Sequence, residues 1–97
     1  MNKEDKKTDF SSDDYKDVAV YQGSLYFVDT DEKTVVIRTA DGFREVLYTE
    51  GTDFSYRTNS FEHNKINELY KDKSVYVFTC ASLAEKTEYA YRVQIVD

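Results

Sequence analysis

The sequence predicts a mainly-β fold, a small five-stranded antiparallel barrel formed by one domain. Three observations lead there. The 97-residue chain is 40% apolar and 15% aromatic, with nine Tyr and six Phe. A disordered chain carries few rings, and a chain of this size can bury one modest core. From residue 18 onward, β-branched and aromatic residues recur in short runs separated by Asp, Gly, Ser and Thr, which is the pattern of strands joined by turns. Only one stretch, residues 59–70, has helical spacing.

Residues 1–17 stand apart as a charged flexible arm or linker. They carry four Lys and six acidic residues, and their only large apolar groups are Phe10 and Tyr15. The charges come without the apolar run of a signal peptide. An alternative is a spacer left behind a removed signal or anchor segment. Residues 18–97 form the single small β-barrel domain.

Its first strand is "VAVYQGSLYFVD", 18–29. Gly23 in its middle marks a bulge or a sharp bend. Strict alternation along this strand places Tyr26 and Val28 on one face and Leu25 and Phe27 on the other. A polar turn, "DTDEK", leads to a second strand, "TVVIRT", at 34–39. Asp41-Gly42 is a hairpin signal, because glycine tolerates the positive φ of a tight turn. The third strand is "FREVLY", 43–48, followed by a loop or irregular strand over 49–58. In the helical stretch, Asn59 is placed to cap and Glu62 to close a capping box. Ile66, Leu69 and Tyr70 share one helical face, with Phe61 about a turn earlier and His63 on the polar side. "SVYVFTCA" (74–81) and "EYAYRVQIV" (88–96) are the last two strands.

The order is therefore three strands, a helix and two strands. Short connections make the first three an antiparallel meander. A short helix between the third and fourth strands is the arrangement of an OB-like barrel, where it plugs one end. The resemblance is one of element order over residues 18–97. An SH3-like barrel and an open α+β sheet are the alternatives.

Nothing in the pattern selects a catalytic group. Cys80 and His63 are the only residues of their kinds, and a zinc site needs three or four such ligands. Cys80 alternates with Phe78 and Tyr76 along a strand and reads as a small buried residue. The carboxylates of "DTDE" (29–32) lack the glycine and spacing of a calcium loop and read as a solvated hairpin tip. Glu45, Glu50 and Asp53 are close in sequence, but nothing singles out one pair for acid–base work. There is no Gly-rich phosphate loop, Ser-centred elbow or metalloprotease helix. The expectation is a non-enzyme with no cofactor and no metal.

The aromatic surplus points to binding instead. A small barrel has one interior, so some of these rings lie outside it. The candidate binding residues are Tyr26, Arg44, Tyr48 and Tyr76, with Arg38, Arg57 and Arg92 as further cations. The expected function is a non-catalytic module that recognises a protein partner through an aromatic sheet face or a strand edge. One alternative is an acidic phage or mobile-element inhibitor that mimics nucleic acid, given the net charge of −6. Against it, the carboxylates are spread through every loop. Another is a single-stranded nucleic-acid-binding OB-type module with bases stacked on the rings. Its weakness is charge, since acidic residues outnumber basic ones in the domain. No apolar run is long enough for a membrane span. A lone cysteine suits a cytoplasmic setting; the alternative is extracytoplasmic, tethered through the N-terminal spacer.

Overall fold

A computed structural model describes residues 14–56, 59–60, 66–84 and 86–96. Its elements are β1 (Tyr15–Asp29), β2 (Thr34–Thr39), β3 (Gly42–Tyr56), β4 (Asn59–Ser60), α1 (Ile66–Tyr70), β5 (Ser74–Ser82) and β6 (Glu88–Ile95). The fold is mainly β. Strand β1 pairs with β2 and β5, β2 with β3, β3 with β6, and β6 with β5. The five long strands thus close into a ring.

Every neighbouring pair in that ring is antiparallel except β3 and β6, which run parallel. The all-antiparallel arrangement expected from the sequence is therefore corrected. Parity explains why. A ring with an odd number of strands cannot alternate direction all the way round, so at least one pair must be parallel. The parallel pair falls where the chain returns after α1 and β5.

Strand β1 serves two neighbours by bending. Residues 15–24 pair with β5, and residues 24–29 pair with β2. The changeover falls beside Gly23, where a Cβ would be driven into the carbonyl of Arg38. Only glycine allows the two backbones to approach so closely. Strand β1 also starts at Tyr15, so residues 15–17, expected in the arm, pair with the end of β5.

The β2–β3 hairpin is tied at its tip. Gly42 has φ +116°, the Thr39 hydroxyl donates to the Gly42 carbonyl at 2.8 Å, and it accepts from the Asp41 N–H at 3.2 Å. Beyond residue 48, β3 continues as an irregular strand to Tyr56. Between Tyr48 and Asp53 its register on β6 shifts. The Thr52 hydroxyl holds this excursion, donating to the Ala90 carbonyl at 2.6 Å and accepting from Thr49 N–H at 3.0 Å.

Of the helix expected over 59–70, the described residues show the last turn as helix and the first two residues as strand. Asn59 and Ser60 pair with Tyr56 and Ser55 as β4, and the described helix begins at Ile66. Residues 61–65, with Phe61, Glu62 and His63, lie outside the described residues, as does Arg57. What is described is one short helical turn, α1. Ile66 is fully buried there. Asn67 grips β1, accepting from Val28 N–H and donating to Val28 C=O, both at 2.7 Å. The Tyr70 ring stacks on Tyr56 at 5.2 Å.

Inside the ring sit Leu25, Val28, Val35, Ile37, Val46, Val75, Val77, Val93 and Ile95, with Tyr48 and Phe54 in an edge-to-face pair at 5.2 Å. Cys80 is buried as well. Burial pushes its thiol above the ordinary 9.0, with the Asp17 carboxylate adding to the effect.

Candidate binding surfaces

The alternation of β2 decides what faces out. Val35 and Ile37 point inward, so Thr34, Val36 and Arg38 point outward. Residues directly opposite one another share a face. Across β1, β2 and β3 the outer rows are then Asp29–Thr34–Leu47, Phe27–Val36–Glu45 and Ser24–Arg38–Phe43. A β-bulge between Leu25 and Phe27 inserts Tyr26 into the same face. Phe43 is 61% exposed, and Tyr26 and Phe27 are each 46% exposed. Tyr26 and Phe43 meet edge-to-face at 4.8 Å, reaching across β2. Lys71 lies 5.0 Å from the Tyr26 ring centre. The face therefore carries an apolar centre with charges of both signs around it.

The bulge also corrects the expected alternation. One extra residue at Tyr26 turns Leu25 and Val28 both inward and leaves Phe27 outside.

The four nominated residues do not form one site. Tyr26 lies on the outer β1–β2–β3 face. Tyr48, at 2% exposure, is a core residue and offers no contact to a partner; its alternation with Val46 puts it inside. Tyr76 is half-buried on the outer face of β5, where Phe78 lies 6.5 Å away and links on to Tyr91 at 6.1 Å. Arg44 belongs to a third place, one end of the ring.

That end is polar. Strands β3 and β6 run parallel, so their first residues, Gly42 and Glu88, mark one end and Tyr56 and Ile95 the other. At the first end Arg44 lies 4.3 Å from the centre of the Tyr21 ring. The Tyr21 hydroxyl donates to Glu88 Oε2 at 2.7 Å, and the Thr79 hydroxyl donates to the same oxygen at 2.6 Å. The hydrogen bond to Glu88 raises the Tyr21 phenol above its ordinary 10.0, with burial and the Glu88 charge adding to it and Arg44 opposing. A cleft of about 280 Å³ opens here, lined by Val20, Tyr21, Gln22, Thr39, Ala40, Asp41 and Arg44. Tyr21 and Glu88 are 67 residues apart in the chain, and nothing in the sequence pairs them.

Three of the carboxylates nominated from sequence, Asp29, Glu50 and Asp53, have structural partners. Asp29 Oδ1 accepts the backbone N–H groups of Asp31 and Glu32, each at 3.0 Å, which organises the 29–33 turn. Glu50 pairs with Lys33 at 3.0 Å, and Asp53 lies 3.7 Å from Arg92. Glu45 is exposed on the outer face. Phe43 and Phe27 were missed as site residues, although the Asp41-Gly42 hairpin signal and the alternation of β3 place Phe43 on the face opposite Arg44, Val46 and Tyr48.

No helix among the described residues is long and apolar enough to cross a membrane. No protein-family model matches the chain, and no curated protein matches it.

Proposed function

We propose that the ring is an OB-like barrel, with the α1 segment plugging one end, and that the protein is a non-catalytic binding module. Its working surface is the outer β1–β2–β3 face, and its partner is a protein. The observation that carries this reading is the exposed cluster of Phe43, Tyr26 and Phe27, extended by Val36 and Leu47. Exposed apolar patches ringed by polar groups mark association sites. Aromatic anchors bring large contact area at a low entropy cost.

Charge separates the partner classes. A nucleic-acid surface draws its affinity from an excess of Lys and Arg. Here Arg38 and Lys71 are balanced by Glu45 and Asp29, and the chain as a whole carries −6. Mimicry of nucleic acid needs the opposite, an acidic face, and these rows carry charges of both signs. A mixed rim around an apolar centre is the anatomy of a protein–protein contact.

The test is a pull-down from lysate of the source organism with wild type and Phe43→Asp, with and without nuclease. The reading predicts a discrete protein that survives nuclease and is lost with Phe43→Asp. Recovery of nucleic acid, or of the same protein by both variants, would contradict it.

A further inference from the structure

We infer that the first half of β1 is a docking edge for an extended peptide that carries a carboxylate. In an antiparallel ladder each residue turns its N–H and C=O to one side, and the next residue turns to the other. Ala19 turns toward β5, where its N–H donates to the Thr79 hydroxyl at 3.1 Å. Val20 and Gln22 therefore turn away from β5. Ser24, two residues further, turns the same way and meets Arg38 of β2. But β2 ends at Thr39. Past that point Val20 and Gln22 have no ladder partner on that side among the described residues.

The second half of β1 is treated differently. Its edge away from β2 is covered: Leu25 donates to the Lys73 carbonyl at 2.9 Å and accepts from Asp72 N–H at 2.7 Å, and Asn67 holds both backbone groups of Val28. The uncovered stretch coincides with the cleft at the polar end of the ring. A peptide strand laid there would continue the line of β2 and take up the backbone groups of Val20 and Gln22. Val20, 56% exposed, supplies an apolar contact beside them.

Arg44 sets the chemistry of the occupant. The Arg44 guanidinium carbon lies over the Tyr21 ring, and Glu88 in turn holds the Tyr21 hydroxyl. Arg44 makes no ion pair among the described residues. Arg44 is exposed, and a guanidinium seated over a ring keeps N–H groups for a carboxylate, which it binds in fork geometry. Asp41 across the cleft discourages a second acid. The carboxylate comes from an Asp or Glu side chain or from a peptide's free C-terminus.

The experiment selects random short peptides against the full chain from two display libraries, one with free C-termini and one with blocked C-termini. Bound peptides are then mapped by amide resonance shifts. The inference predicts enriched peptides with an acidic group at a fixed position and shifts at Val20 and Gln22. It also predicts at least about tenfold weaker binding to Arg44→Gln. Val20→Pro removes the docking donor on the side away from β5 and weakens binding similarly; should it unfold, Arg44→Gln decides. Enrichment from the free-terminus library alone assigns the carboxylate to a chain end, and enrichment from both assigns it to a side chain. No enrichment, peptides without an acid, or shifts confined to the Phe43 face would overturn the inference. It stands apart from the aromatic-face reading, since Phe43→Asp leaves this peptide binding unchanged.

Discussion

The inner and outer faces of β2 and its neighbours are built from similar residues and meet different fates. Inside are Val35, Ile37, Val46 and Tyr48; outside are Phe27, Val36, Phe43 and Leu47. Hydrophobicity does not distinguish the two sets. Position does, because a strand sends alternate side chains to opposite faces, and the ring has one interior to fill. The inner set holds the fold together. The outer set contributes little to the fold and remains available for contact. The contrast yields a double dissociation, in which inner substitutions cost stability and outer ones cost association.

The largest expected effect is at Ile37, fully buried between Leu25 and Arg44 in the ladders. Ile37→Ala is expected to cost about 2–5 kcal/mol in denaturant unfolding, from lost burial and the cavity left behind. A loss below about 1 kcal/mol would place Ile37 outside a packed core. Next is Gly23→Ala, which forces a methyl group against the Arg38 carbonyl and should cost about 2 kcal/mol as β1 and β2 are pried apart. Full tolerance of the alanine would mean that the close approach of the two strands is absent.

Glu88→Gln addresses the polar end. It weakens two charge-assisted acceptor contacts, with an expected loss of about 1–2 kcal/mol. It also returns the Tyr21 phenol toward its ordinary 10.0, which ultraviolet titration of the tyrosines would detect. An unchanged titration curve would detach Tyr21 from Glu88.

Alkaline pH tests the raised phenols and thiol together. The phenols of Tyr21, Tyr48 and Tyr91 and the thiol of Cys80 all lie above their ordinary values, chiefly through the Glu88 hydrogen bond for Tyr21 and through burial for the other three. A folded-state value above the unfolded one means that the unfolded chain releases its protons first. In that window the native state binds more protons, so stability falls as pH rises. Stability from these groups is therefore complete below about pH 9 and declines as the pH passes the ordinary 9.0 of the thiol and 10.0 of the phenols. Unfolding free energy that held constant to high pH would contradict this. The smallest effect on stability is predicted at Phe43: Phe43→Asp should change unfolding free energy by under about 0.5 kcal/mol, as for an exposed side chain.

The sequence made much of this frame legible, and each failure has a physical cause. The run TVVIRT sits where β2 lies because β-branched residues bounded by turn residues leave little choice. The Asp41-Gly42 hairpin could be read because it depends on the local freedom of Gly42, whereas Gly23 serves the close approach of β1 to the Arg38 carbonyl. The Tyr26 bulge could not. It depends on how β1 bends between two neighbours, and it reverses the inside–outside assignment of Phe27. Tyr48 was nominated as a contact because a strand's alternation shows which residues share a face without showing which face is the interior. The helical spacing of 59–70 was overridden at its start, where Asn59 and Ser60 add to β3. The Tyr21–Glu88–Arg44 arrangement joins three strands and has no local signature at all.

The central claim is that the outer β1–β2–β3 face is where a protein partner sits. The most direct measurement is photo-crosslinking in lysate of the source organism, after nuclease treatment, with a benzophenone amino acid placed at position 43 or at position 76. The account predicts a discrete protein adduct from position 43 and none from position 76. An adduct from position 76 alone would contradict it and move the working surface to the β5 face.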